Sequence, residues 1–252
     1  MGVRYYLSGC AHTKTFHNTL GSLLSHDINK TDNIVFIAGE PTDKDYAFSS
    51  AEWFLNELSD INIYFQNFKV IHYYSPRHLV KRWVSNANMI VLLGGNPVRQ
   101  KRMCKQLHIW ESLKEYDGVM LGMSAGAMNM SQYIIIPPYA YVYPDGIIRD
   151  GLNKDNISIV PHNNFMDDEY PEKYEAPDGI YRKEDLISLA NDLGCFYLLQ
   201  DVDITIDETE INCNTFIRAD DTGYKIYREN EGRVWEVQGN QITLLYVSTI
   251  QE

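Results

Sequence analysis

The sequence predicts an α/β protein: a single three-layer domain over residues 1–252, with a mostly parallel sheet, helices on both faces and antiparallel strands towards the C-terminus. Three observations carry this. In the first half, short runs rich in β-branched and aromatic residues alternate with longer amphipathic stretches, the pattern of βαβ units. Several of those runs end in glycine or another turn residue, as strands do where an open sheet presents its loops. Beyond residue 195, short β-like runs succeed one another without helical stretches between them.

In order, the predicted strands of the first half are 3–9 (VRYYLSG), 33–39 (NIVFIAG), 68–74 (FKVIHYY), 89–95 (MIVLLGG) and 118–123 (GVMLGM). Apolar residues recur at three and four in 47–58, and again in 97–116, where Met103, Leu107, Trp110 and Leu113 mark one face, so both stretches are predicted helices packed on the sheet. Residues 133–144 are rich in Tyr and Pro and read as an extended or loop segment; a lid, a homodimer surface and plain core are all open for it. A strand at 156–162 and a helix at 183–193 follow. The runs 196–200, 203–207, 214–218, 224–228, 233–238 and 242–247 then read as strands on the far side of the same sheet or as a small antiparallel end piece. No internal repeat, linker or low-complexity tract interrupts the chain, which favours one domain.

The formal charge of −12, from 34 acidic against 22 basic residues, argues against a nucleic-acid or anionic-membrane surface and leaves small, soluble or cationic partners. The first ten residues hold one Arg and no long apolar run, and nowhere do about 18 apolar residues stand together, so the expectation is a cytoplasmic protein without a membrane span. Cys10, Cys104, Cys195 and Cys213 are far apart and form no C-x-x-C pair, and the spacing of His12, His17 and His26 suits no metal motif; neither a metal site nor a disulfide framework is expected.

Chemistry concentrates around "GMSAG" at 122–126. This fits the G-x-S-x-G nucleophile elbow, with an apolar strand before it and a helix opening after it. Small neighbours let the backbone turn sharply so that the Ser124 hydroxyl projects, and the Ala125 amide at the helix start is placed to stabilise an oxyanion. A close-packed turn with an inert serine is the competing reading. In "LLGGNP" at 92–97 a strand ends in two glycines, so the backbone can approach a substrate and the Gly95 amide becomes the second oxyanion candidate, although Gly-Asn-Pro is also ordinary turn chemistry. A serine needs a base. Of seven histidines, His162 differs from the others by following a β run and a proline in "SIVPHNNF", which would stand it at a strand end; a strand-capping loop histidine is the alternative.

The elbow in "LGMSAGAMNM", the upstream "LLGGN", the "DGL" at 150–152 and the "PH" at 161–162 together resemble the peptidase E family of serine peptidases, which includes aspartyl dipeptidase and is related to cyanophycinase, with a fold similar to class I glutamine amidotransferases. The resemblance reaches to about residue 200. It implies Ser124 as nucleophile, His162 as general base, Gly95 and Ala125 as oxyanion amides, and cleavage of small peptides or acidic amide linkages without a cofactor.

Two departures stand out. The family places an acid between serine and histidine to orient the imidazole, and the matching stretch here holds Tyr139, Ala140 and Tyr141. Asp145, Asp150, Asp167, Asp168 and Glu169 are the remaining candidates, with Asp145 and Asp168 foremost, or the site works as a dyad; replacing such an acid costs on the order of 10⁴ in turnover. The resemblance also implies an arginine holding an acidic substrate group, matched by Arg182 in "GIYRKEDL", but the acidic tract "DDEYPEKYEAPD" separates it from His162, and a solvated charge fits equally well. A non-catalytic relative binding a small molecule or peptide is therefore the alternative function. Glutamine amidotransfer is disfavoured, since that chemistry uses a cysteine at the elbow.

Overall fold

The computed structural model describes residues 2–9, 16–136, 147–162, 173–176, 179–200, 203–206, 209–212, 214–229 and 232–245. Five strands form its parallel centre: β1 (Val3–Leu7), β2 (Asn33–Gly39), β3 (Asn67–Ile71), β4 (Met89–Gly95) and β5 (Val119–Met123). Between and after them come α1 (Thr19–Asp27), α2 (Lys44–Asp60), α3 (Arg77–Ser85), α4 (Pro97–Gln106), α5 (Trp110–Glu115) and α6 (Ala125–Met130). The second half adds β6 (Tyr133–Ile136), β7 (Ile147–Asp150), β8 (Ile159–Val160), β9 (Lys173–Ala176), β10 (Gly179–Arg182), α7 (Lys183–Leu193), β11 (Phe196–Leu199), β12 (Asp203–Ile206), β13 (Thr209–Asn212), β14 (Asn214–Asp220), β15 (Gly223–Glu229), β16 (Val234–Gln238) and β17 (Gln241–Leu245).

The main sheet has the order β15-β14-β1-β5-β4-β2-β3, parallel from β1 to β3 and antiparallel where β14 joins β1. Its central strands are buried on both faces, which is why they read as unbroken apolar runs rather than alternating ones. One face packs on α1 and α2 through Leu20, Leu24, Phe54 and Leu58; the other packs on α3 to α6 through Val80, Val84, Met103, Leu113 and Ala127. That gives three layers. A second sheet, β17-β16-β11-β8, shares the core of the latter face through Ile159, Leu199 and Val234. The C-terminal runs thus do both things open to them: β14 and β15 extend the main sheet, and β11, β16 and β17 build the end piece.

The predicted helix 97–116 is two helices. His108 takes a left-handed φ of 57°, and the amides of His108 and Ile109 turn back to the carbonyls of Lys105 and Cys104. Met103, Leu107, Trp110 and Leu113 all remain buried across the break, so the apolar period survives it. The predicted strand 156–162 narrows to the two residues of β8.

Two part-buried polar networks fix β1 from opposite sides. Arg218 of β14 donates to both oxygens of Asp27 (2.8 and 3.0 Å), which also accepts from Tyr5. Burial alone would raise the Asp27 carboxyl, but the hydrogen bonds from Arg218 and Tyr5 outweigh it and hold the pKa below the usual carboxylate value. On the other face Asp155 accepts from Arg4 (Nε, 3.0 Å) and from the Tyr6 hydroxyl (2.6 Å).

His72, at the end of β3, packs between Phe48 and Tyr74 and accepts from the Tyr74 amide. Burial first, and the Lys44 charge second, lower its pKa. The neutral ring is the folded form, so its contribution to stability is complete above about pH 6.5 and is lost as pH falls through the lower folded value. Denaturant midpoints measured at pH 7.5 and 5.0 are expected to differ less for His72→Asn, which keeps an acceptor without the titration, than for wild type.

Candidate active site

The carboxyl ends of β1, β4 and β5 lie side by side, and a residue from each turn converges there. Ser124 joins the last residue of β5 to the first of α6 with φ 48° and ψ −111°, a conformation that costs an L-residue strain and persists only where neighbours impose it. The Ser124 amide donates to Leu7 O (3.0 Å), and its carbonyl accepts from the Met128 amide (3.0 Å), so the turn is pinned at both ends. Gly126 lets α6 lie directly on β4: a Cβ there would stand 2.0 Å from the Leu92 carbonyl oxygen.

His162 follows β8 and Pro161, as expected, with φ 61°. Its amide donates to Ser8 Oγ (3.0 Å), and that hydroxyl donates to Leu199 O (2.9 Å). Ser8 is fully buried just beyond β1, so one hydroxyl ties the histidine backbone to two sheets. The imidazole Nε2 then lies 2.6 Å from Ser124 Oγ. The two side chains singled out in the sequence are in hydrogen-bonding contact, and a neutral Nε2 is placed to accept the serine proton.

The glycine loop abuts them. A Cβ on Gly94 would lie 3.7 Å from that of Ser124, and Gly95 has φ 138°, which a side chain would strain. Beneath the loop, Gln100 Nε2 donates to Ile37 O and Leu93 O (both 3.0 Å), and Asn129 of α6 donates to Gln100 Oε1 (2.8 Å) and Pro97 O (3.0 Å). Both amides are fully buried, so the loop and the elbow helix are locked to each other.

A cavity of about 440 Å³ opens at the pair, lined by Gly9, Gly94, Gly95, Met123, Ser124 and His162 and by Tyr46, Ser49, Ser50 and Trp53 of α2. This is a volume suited to a small organic ligand. Asp145 and Asp168, with Asp167, Glu169 and the 139–141 stretch, lie outside the described residues. Asp150 pairs with Tyr133 at the far end of the β6–β7 hairpin, exposed, and does not line the cavity. Arg182 closes β10 one residue before α7 begins; its side chain lies outside the described atoms. Among the described residues no group of three or more His, Cys, Asp or Glu is placed to hold a metal, and no helix is long and apolar enough to cross a membrane.

Sequence reading missed Ser8 and the α2 face. Ser8 acts across 154 positions, which no local pattern carries. The face 46, 49, 50, 53 has helical spacing, but its Ser and Tyr members look like solvated surface until the fold brings them into the cavity that Ser124 lines.

No protein-family model matches the chain, and no curated protein does. Solved structures do. A peptidase from an acI-B1 Actinobacterium is 13% identical and superposes with a TM-score of 0.62, over 99% of this chain and 96% of that one. A candidate peptidase E protein from Listeria monocytogenes EGD-e is 15% identical with a TM-score of 0.55, over 91% and 100%. At such identity the likeness is one of fold: the chain has the fold of these peptidases.

Proposed function

We propose that this chain is a serine-type peptidase of the peptidase E kind, a cytoplasmic enzyme that cleaves small peptides or amides without a cofactor. One observation carries the reading: a serine on a strained strand-to-helix turn lies 2.6 Å from the Nε2 of a histidine whose own backbone is pinned. Ser124 Oγ attacks the carbonyl carbon as its proton passes to His162 Nε2; the Gly95 and Ala125 amides face the developing oxyanion. Collapse breaks the C–N bond, with His162 returning the proton to the leaving amine, and water then releases the acyl group by the same steps in reverse order. Asp145 or Asp168 is the proposed orienting acid. The fold shared with known peptidases supports this reading.

The reading is tested by incubating wild type and Ser124→Ala with a dipeptide library that includes Asp-Xaa members. Turnover by wild type alone is expected. A protein that binds dipeptides but releases no product would instead be the non-catalytic relative, which the Tyr-Ala-Tyr sequence at the expected acid position favours.

Ser8 is a positioning residue in this account. Ser8→Ala removes the acceptor for the His162 amide and is expected to lower kcat by about tenfold, with KM changed less than about twofold, because the loss falls on the transition state rather than on substrate binding. Equal effects on both constants would assign Ser8 a purely structural part.

A further inference from the structure

We infer that the α2 face formed by Tyr46, Ser49, Ser50 and Trp53 is the specificity wall of the site and selects substrates with an uncharged aromatic or large apolar group beside the scissile bond; this rests on the peptidase reading of Ser124 and His162. These four residues stand at helical spacing 0, 3, 4 and 7, so they share one face over roughly 10 Å, and all four line the cavity that Ser124 also lines. The wall is preorganised. The half-buried Trp53 ring packs edge-on against Phe54 (75°, centroids 6.4 Å) and tilted against the fully buried Phe16 (53°, centroids 6.4 Å), contacts that restrict its orientation. Tyr46, half exposed at the other end of the face, adds a second ring at the mouth. An aromatic anchor held this way gains contact area at little cost in side-chain freedom.

The chemistry of the lining sets the sign of the preference. Among the described residues, the cavity is walled by two aromatic rings, serine hydroxyls, Met123, glycine backbone and the His162 imidazole, with no carboxylate, lysine or arginine. Against these described walls an acidic or basic side chain would shed water without meeting an opposite charge, whereas a phenyl or isobutyl group would meet matching surface. The Ser49 and Ser50 hydroxyls leave room for a polar backbone group of the substrate along the same wall. Arg182 predicts the reverse order, acidic first.

The experiment uses full-length Ser124→Ala protein, so that it reads binding whether or not the wild type is a hydrolase, and titrates it by calorimetry with Phe-Ala, Leu-Ala, Asp-Ala and Lys-Ala. Phe-Ala is expected to bind at least about tenfold more tightly than Asp-Ala or Lys-Ala, and adding Trp53→Ala is expected to cut that preference to within about threefold. Trp53→Leu, which keeps the packing on Phe16 and Phe54 apolar, serves if the alanine variant unfolds, with the same expected direction. Asp-Ala or Lys-Ala binding as tightly as Phe-Ala, a preference untouched by Trp53 and Tyr46 substitutions, or no binding of any dipeptide would each overturn the wall. Failure of serine chemistry in wild type with the Phe-Ala preference intact would overturn the peptidase reading alone.

Discussion

Replacing His162 by alanine is expected to lower turnover by on the order of 10⁴- to 10⁶-fold, the range seen when a serine hydrolase loses its base and only oxyanion and binding contributions remain. The residue is partly exposed, and its contact to Ser124 is side chain to side chain, so the loss falls on the chemistry rather than on the core. His162→Ala is therefore expected to melt close to wild type, and dipeptide kinetics beside a thermal melt check both halves. A loss below about tenfold would mean that the hydroxyl is activated by some other group.

The second large effect is on the fold. Gly126→Ala would put a methyl group 2.0 Å from the Leu92 carbonyl oxygen, and the clash is with backbone, which has no rotamer to offer. The helix must lift off β4, at a cost of about 3 kcal/mol, the upper part of the range for overpacking. Gly94→Ala meets its nearest neighbours only at 3.7 Å and is expected to change stability by less than about 0.5 kcal/mol. Chemical denaturation of the two variants separates them. If Gly126→Ala is as stable as wild type, the close approach of α6 to β4 is not what demands a glycine at the end of the elbow.

These two glycines show where sequence reading works and where it stops. The elbow was legible because its spacing, its strand and its helix all occupy one short window, and β2, β4 and β5 were legible because a parallel strand buried on both faces is a continuous apolar run. The 97–116 stretch misled because the apolar stripe of Met103, Leu107, Trp110 and Leu113 continues through a break that a left-handed His108 makes. The hairpin of β9 and β10 and strand β13 carry charged or polar residues in runs too short to show alternation. At the site, Ser124 and His162 carried signals of their own kind, a motif and a strand-end proline–histidine pair. Ser8, Gln100 and Asn129 did not, since a buried serine or amide is recognised only by the carbonyls it reaches, and those come from strands distant in sequence. Whether an acid orients His162 could not be read either, because the stretch that would hold it carries Tyr139, Ala140 and Tyr141, and a carboxylate from another loop leaves no local pattern.

The central claim is that Ser124 is an activated nucleophile. A fluorophosphonate probe tests it most directly, with the adduct located by mass spectrometry of the digested protein. The expected result is one adduct on the peptide carrying Ser124, absent in Ser124→Ala and much slower to form in His162→Ala. No adduct on wild type while a reference serine hydrolase reacts in the same tube, or an adduct on another residue, would contradict the claim.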